Sequence, residues 1–334
     1  MEEKLRRRVA DEKSSKFLEY LEGPNVYERQ SSGMRPYGLQ FYHELPEYKK
    51  DNNFIRWGYV PELKSFKKCY KSLFYLHNES VNIYSHLLPA LVTLFAVVYY
   101  VENYLPIYQN YLGNWEKVNF IQFGTAVTIC LCTSSTFHCI KAHSFNVSVV
   151  GNKLDYIGII VLIYCSLLSI ILFALYDRPG MSTLFLLVFT IFAATCIVFV
   201  LDHRLSDKYY RPHRSLMFIM FGLSGVIPFA TEVYGNGLRA ASEKLGIKWL
   251  ILEGFFYISG AMIYVMRVPE RLTHIEQDHS ELLKNPIKGK FDMFGHSHQI
   301  FHIMVVIAAY CHWKALLHSY HYLHRVILHV QYID

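Results

Sequence analysis

The sequence lacks the alternation of apolar and polar residues that a soluble domain of its length normally shows. Charged residues make up only 18% of the 334 residues, whereas hydrophobic residues make up 52%. The apolar residues gather in long runs of about 20, and a run of that length can cross the roughly 30 Å hydrocarbon core of a bilayer. The composition therefore predicts an integral membrane protein.

Cysteine usage does not indicate a disulfide framework. The seven cysteines are an odd number, and most of them lie inside the apolar runs, where a free cysteine behaves as a small buried apolar residue. Cys130 and Cys132 are two residues apart, so on a helix their side chains point to different faces and cannot easily bind one ion. We assign the cysteines no chemistry.

The first 50 residues are charged and lack the apolar core of a signal peptide. We therefore expect no cleaved leader and expect the first span to direct insertion. The net charge of +6 comes from basic residues near the ends of the apolar runs. No basic surface interleaved with aromatic residues is indicated, so nucleic acid is not an expected partner.

The apolar runs predict an all-α integral membrane protein with a bundle of seven transmembrane helices, because a backbone in lipid must satisfy its own hydrogen bonds. The spans are about 82–101, 119–139, 155–176, 182–201, 215–234, 248–268 and 299–320. We divide the chain into a loosely ordered polar tail (1–55), an amphipathic segment (56–78), the transmembrane domain (79–320) and an exterior or lumenal tail (321–334). Within the fifth span, Pro228 predicts a kink.

A short amphipathic helix is predicted before the first span. Its apolar residues recur at helical spacing, and its lysines (Lys64, Lys67, Lys68 and Lys71) occupy the opposite side. This pattern is typical of a helix lying on an anionic membrane surface. An ordinary helix packed on the bundle would present the same faces.

The basic residues of the short loops predict the orientation of the bundle. Loops after even-numbered spans carry eleven Lys and Arg residues, and loops after odd-numbered spans carry five. The N-terminus is therefore expected in the cytosol and the C-terminus on the exterior or lumenal side. The compartment is left open between the endoplasmic reticulum and the plasma membrane.

Three histidines and an aspartate lie at span ends that this topology places on one side of the membrane. His138 ends the second span, Asp155 begins the third, and His298 and His302 begin the seventh, one turn apart. Ionisable groups at membrane depth are costly and usually functional. Three imidazoles with a carboxylate nearby form a ligand set typical of zinc, with one position left for water.

Each of these residues has an ordinary structural alternative. His298 and His302 alone could be two polar residues at a helix entrance, and a single intramembrane histidine such as His138 often bonds a neighbouring helix. Ser134, one turn before His138, could assist the site or bond the carbonyl four residues back. The metal hypothesis depends on the whole set.

Other polar residues of the spans receive no catalytic role. We interpret five further histidines as an interfacial or solvated group following the seventh span: His312, His318, His321, His324 and His329. Glu232 and Glu253 are expected at the outer interface. At these positions we expect the side chains to contact water and to have no catalytic role.

Six stretches of the chain resemble the progestin and adipoQ receptor family, which includes the adiponectin receptors and their fungal relatives. They are SLFYLHNESVNIYSHLLP (72–89), SSTFH (134–138), KLDYIGI (153–159), GLSGVIP (222–228), VPER (268–271) and GKFDMFGHSHQIFH (289–302). The similarity covers nearly all of the chain from about residue 56. An additional segment, 272–288, separates the last two stretches.

The resemblance implies seven spans, an inward N-terminus, and zinc bound by His138, His298 and His302. It also implies that Asp155 positions the water and that Ser134 matches the serine of a wider group of membrane hydrolases. Family members are linked to ceramide hydrolysis, to signalling on ligand binding and, in fungi, to zinc and sterol homeostasis.

Three functions follow as hypotheses. The first is a zinc-dependent hydrolase of a lipid amide such as ceramide, with Asp155 and Ser134 as catalytic residues. The second is a receptor for an extracellular or sterol ligand in which zinc is structural and nothing is hydrolysed. The third, a zinc transporter, ranks lowest because the ligands lie at one depth and outline no path across the membrane.

Overall fold

A computed structural model describes residues 36–103, 115–202, 204, 210–274 and 287–331. Its α-helices are α1 (Phe66–Lys71), α2 (Ser80–Asn103), α3 (Trp115–Ile140), α4 (Phe145–Ala174), α5 (Pro179–Leu201), α6 (Arg211–Leu223), α7 (Val226–Leu245), α8 (Ile247–Met266) and α9 (Ser297–Gln331). Seven spans are long and apolar enough to cross a membrane, α6 and α7 together forming one of them. Within the described ranges the only β-pairing is an isolated bridge between Gln40 and Tyr59. The predicted all-α class with seven spans is confirmed.

Successive spans alternate in direction, so α2, α4 and α9 begin at the same end of the bundle. We call this the proximal end and the opposite one the distal end. The interior between them is closed by aromatic and branched side chains, including the fully buried Phe120, Phe123, Phe173 and Phe189. Many apolar side chains are exposed instead, such as Phe95 and Val98 of α2, as expected of a surface that faces lipid.

The fifth span is interrupted just before Pro228. Helix α6 ends at Leu223 and α7 begins at Val226, so Pro228 lies in the first turn of α7, where its missing N–H costs nothing. A second interruption occurs at Gly237, whose φ of 81° is outside the helical range. The sequence predicts a kink in this span, and in the structure α6 and α7 are separated by two turn residues, Ser224 and Gly225, that keep helical φ and ψ.

The seventh span is longer than predicted. Helix α9 contains 35 residues and is therefore about 50 Å long at 1.5 Å per residue. The tail predicted for 321–334 is helical up to Gln331, because α9 continues past the hydrocarbon core without a helix-breaking residue. Residues 332–334 lie outside the described part.

The segment before α1 packs against the proximal end. Leu39, Phe41 and Trp57 form a buried cluster with Ala142, which follows α3. The backbone N–H of Arg56 donates to Asp292 at 2.7 Å, and the Asn52 side chain donates to Glu270 at 3.0 Å. The predicted loose tail is thus wrong from residue 36 onward, because these apolar side chains find a surface to pack on; residues 1–35 lie outside the described part.

Helix α1 begins after Ser65, whose side chain accepts a hydrogen bond from the Lys68 backbone N–H. Its lysines are exposed and Cys69 is buried. The additional segment predicted between VPER and GKFD is described only at its ends, since residues 275–286 lie outside the described ranges.

Candidate metal centre

His138 lies in the last turn of α3 with its ring fixed by a carboxylate. Its Nδ1 is 2.7 Å from Oε2 of Glu79, whose other oxygen is 2.7 Å from Nζ of Lys141. The opposite ring nitrogen, Nε2, is buried and has no hydrogen-bond partner among the described residues. A carboxylate that accepts the Nδ1 hydrogen leaves the lone pair on Nε2, as in metal-binding histidines generally.

Glu79, immediately before α2, is anionic in this setting. Burial alone would raise the pKa of Glu79, but the nearby Lys141 and the hydrogen bond from His138 hold it well below its ordinary value. The same ion pair raises the pKa of Lys141 although burial opposes this. Glu79 is therefore a permanently charged acceptor for His138.

His302, two turns into α9, is fixed by the backbone of α2. Its Nδ1 is 3.0 Å from the carbonyl oxygen of Asn82, so this nitrogen donates the hydrogen bond and Nε2 carries the lone pair. The His86 ring stacks on the His302 ring with 3.8 Å between centroids. Because α2 holds His302 on two sides, this imidazole has little freedom to turn.

The start of α9 is held by a buried glutamate. Glu270 accepts a hydrogen bond from the Ser297 backbone N–H at 2.7 Å and another from the Ser297 hydroxyl. A carboxylate at the first N–H groups of a helix satisfies donors that have no partner within the helix. This contact fixes the position from which His298 and His302 project.

The three imidazoles converge at the proximal end. One nitrogen from each of His138, His298 and His302 lies within 4.8 Å of the other two. Nitrogens that share a tetrahedral zinc are about 3.4 Å apart, given bonds of about 2.1 Å. The rings therefore need to close slightly on an ion, and the uncompensated Nε2 of His138 already points to such a group.

Asp155 and Ser134 are buried beside the histidines. Asp155 lies close enough to interact with the Ser134 hydroxyl and with His138. Helices α3 and α4 can approach here because residue 158 is glycine: a Cβ atom at Gly158 would lie 3.1 Å from the Cα of Cys130. The structure thus places all five predicted site residues at one end of the bundle.

The sequence analysis missed the groups that orient the imidazoles. Glu79, Lys141, Asn82, His86 and Glu270 received no role, although Lys141 is three residues beyond His138. Glu79 and His86 occur in the quoted stretch 72–89, which was the available signal. Their roles depend on contacts across 59 and 216 positions of sequence.

The distal histidines differ from expectation. His312 was interpreted as interfacial or solvated, yet it is buried, with Nε2 2.8 Å from the Ser169 hydroxyl and Nδ1 2.8 Å from Glu253. The interpretation was wrong because α9 continues through this region and presents His312 to α4 and α8. Among the other residues, His324 pairs with Glu116 at 3.1 Å.

Glu232, expected at the interface, is also fully buried. It accepts a hydrogen bond from Lys244 at 3.0 Å, and Lys244 lies 3.2 Å from Asp177. The polar groups of the distal end therefore pair with one another.

Comparison with known proteins agrees with the family resemblance of the sequence. The sequence profile of the family described as haemolysin-III related matches residues 74–313. The chain is similar to the ADIPOR-like receptor IZH2 of Saccharomyces cerevisiae, with 38% identity over 323 residues covering 96% of this chain and 94% of the yeast protein.

Two further relatives are more distant. ADIPOR-like receptor IZH1 of Eremothecium gossypii is 36% identical over 284 residues, 84% of each chain. The adiponectin receptor protein of Drosophila melanogaster is 35% identical over 275 residues, which are 82% of this chain and 58% of the fly protein.

Proposed function

The chain belongs to the haemolysin-III related family, which includes the adiponectin receptor-like proteins, and from that premise we propose that it is a zinc-dependent hydrolase of a membrane lipid amide such as ceramide. The observation that supports the proposal best is the geometry of His138. Its Nδ1 is bound by Glu79, its buried Nε2 has no partner among the described residues, and one of its ring nitrogens lies within 4.8 Å of a nitrogen of His298 and of His302.

The donor set fits zinc. Imidazole nitrogens are common zinc ligands, and three of them leave one coordination position open in a catalytic site. His138, His298 and His302 would hold the ion, and Glu79 and the Asn82 carbonyl would fix two of the rings. When bound, zinc supplies Lewis acidity, which activates water near neutral pH and polarises a carbonyl group.

Side chains of the protein would carry out the proton transfers. As the attacking water adds to the amide carbon, Asp155 accepts a proton from it. Asp155 then transfers this proton to the amine nitrogen as the carbon–nitrogen bond breaks, so the products are a fatty acid and an amine. Ser134 would donate its single hydroxyl hydrogen to the Asp155 carboxylate and so hold the carboxylate in place.

The experiment is zinc analysis and fatty-acid release from ceramide, using the full chain purified in detergent. We expect about one zinc per chain in the wild type and in Asp155→Ala, with fatty-acid release only in the wild type. His302→Ala should lose both. His321→Ala is the matched control, because it removes an exposed imidazole from the same helix and should change neither measurement.

The outcomes separate the hydrolase from its alternative. A wild type without zinc, or Asp155→Ala with undiminished release, would refute the hydrolase. Zinc that is retained without turnover would favour a receptor with a structural ion, the alternative supported by the receptor names of the relatives. Such a receptor would respond to an extracellular or sterol ligand and act in lipid signalling or in zinc and sterol homeostasis.

We also propose that the N-terminus is cytosolic and that the centre lies near the inner leaflet. The excess of basic residues in loops at the proximal end supports this orientation. It would give water direct access to the centre while the acyl chain of the substrate stays in lipid.

A further inference from the structure

A groove lies on the outer surface of the proximal end, on the side of α2 that faces away from the histidines. It has a volume of about 600 Å³. Its walls are the segment 73–76, the first turns of α2 and Phe294. The groove is separate from the metal centre because α2 lies between them: Asn82 and His86 face His302, whereas Tyr84 and Leu88 face the groove.

The two walls of the groove are joined by a hydrogen bond, and their polar groups are already bonded within the protein. The Tyr84 hydroxyl donates to the carbonyl oxygen of Leu73 at 2.7 Å and joins the two walls. The two serines of the lining are engaged within the protein: the Ser85 hydroxyl donates to Asn82, and Ser80 accepts from the His77 N–H. Phe74 is 86% exposed and Leu88 is 56% exposed. The groove therefore suits a hydrocarbon chain.

Three exposed lysines directly precede the lining segment of this groove in the chain. Lys67, Lys68 and Lys71 belong to α1, whose last residue is directly followed by Ser72 and the groove residues Leu73 and Phe74. Lys67 and Lys71 are four residues apart and share a helical face. No carboxylate pairs with any of the three in the part of the chain that the structure describes. An anion at this position would meet three uncompensated positive charges.

We propose that this groove binds one anionic phospholipid, with an acyl chain between segment 73–76 and α2 and the phosphate against Lys67, Lys68 and Lys71. The groove is shallow and open, with space of about 600 Å³, so an acyl chain would lie along its surface and not inside a closed pocket. The lysines of α1 would face the phosphate, and the apolar groove that follows them would face the acyl chain. A basic helix alone would attract a negative surface without selecting a lipid; the groove adds a position for one chain.

The test is native mass spectrometry of the full chain in detergent, with dioleoyl phosphatidylserine or dioleoyl phosphatidylcholine added at equal concentrations. We expect one phosphatidylserine to remain bound and phosphatidylcholine to be retained at least about tenfold less. The double variant Lys67→Gln with Lys71→Gln should lower phosphatidylserine retention by about tenfold. Its control is Lys288→Gln with Lys290→Gln, which removes two exposed positive charges elsewhere at the proximal end and should have no effect.

The apolar part of the site is tested separately. Leu88→Trp should fill the groove and reduce retention of the lipid, whereas Val98→Trp, on the same helix and similarly exposed at 58%, should not. Equal retention of the two lipids, or equal loss in the lysine variant and its control, would reduce the site to ordinary annular lipid and overturn the proposal. Displacement of the lipid by a molar excess of inorganic phosphate would also overturn it, since that result indicates a simple phosphate site.

Discussion

The Glu79 carboxylate lies 2.7 Å from Nδ1 of His138 and connects this imidazole to the loop before α2. The same carboxylate is bound by Lys141, so its charge is held in place from a second direction. A negative charge at Nδ1 strengthens the basicity of Nε2, the atom that would bind the metal. In the proposed zinc site, Glu79 would therefore be a positioning residue that orients His138 without touching the ion.

Replacement of Glu79 by Gln should lower zinc affinity by about 10- to 100-fold, the usual effect of losing an outer partner of a metal-binding histidine. The shape of the side chain is kept, so the fold should persist. Zinc affinity is measured by competition with a chelator. Glu62→Gln, at an exposed position of the same segment, is the control, and equal affinities in the two variants would show that Glu79 does not orient His138.

Ser134 and its neighbour Ser135 provide a matched pair. Both are buried in α3, but Ser135 donates to the Cys132 carbonyl of its own helix whereas Ser134 interacts with Asp155. Ser134→Ala should reduce hydrolysis by about tenfold or more while zinc content stays unchanged, because Asp155 loses the donor that holds it. Ser135→Ala should leave the rate unchanged. A loss of zinc in Ser134→Ala would assign the serine to the metal and not to the carboxylate.

Gly158 keeps α3 and α4 close enough for Asp155 to reach Ser134. A methyl group at this position would lie 3.1 Å from the Cα of Cys130 and closer still to the Thr133 hydroxyl. Gly158→Ala should therefore lower the free energy of unfolding by about 1–3 kcal/mol through overpacking, measured as a fall in Tm in detergent. Gly222→Ala is the control, since nothing lies within 4 Å of its Cβ position; a similar fall there would refute the argument from close approach.

Much of the site was predictable because its ligands lie in the spans. Span boundaries follow from hydropathy, and the alternation of direction then assigns His138, Asp155 and His302 to one end without any knowledge of packing. Rotation of the helices about their axes is not determined in this way. The sequence therefore could not reveal that α2 turns Asn82 and His86 toward His302.

The distal half was harder to predict for the same reason. The sequence predicts His312 to be interfacial or solvated because it is grouped with the histidines that follow the seventh span into the exterior tail. Its partners Ser169 and Glu253 belong to helices that are distant in sequence. A polar residue in lipid is buried when another helix supplies a partner, and no local signal shows which helix does so.

The buried network of Ser169, His312 and Glu253 should contribute to the stability of the fold. His312→Phe keeps a ring of similar size but leaves the Glu253 carboxylate without its 2.8 Å contact. The free energy of unfolding should fall by about 1–3 kcal/mol, the cost of a buried polar group without its partner. Combining His312→Phe with Glu253→Leu should recover part of this loss because the unpaired carboxylate is then absent.

Tm in detergent measures the stability and zinc content serves as the control. No change in zinc is expected in either variant, so a loss of zinc would show that the distal network and the metal centre are coupled.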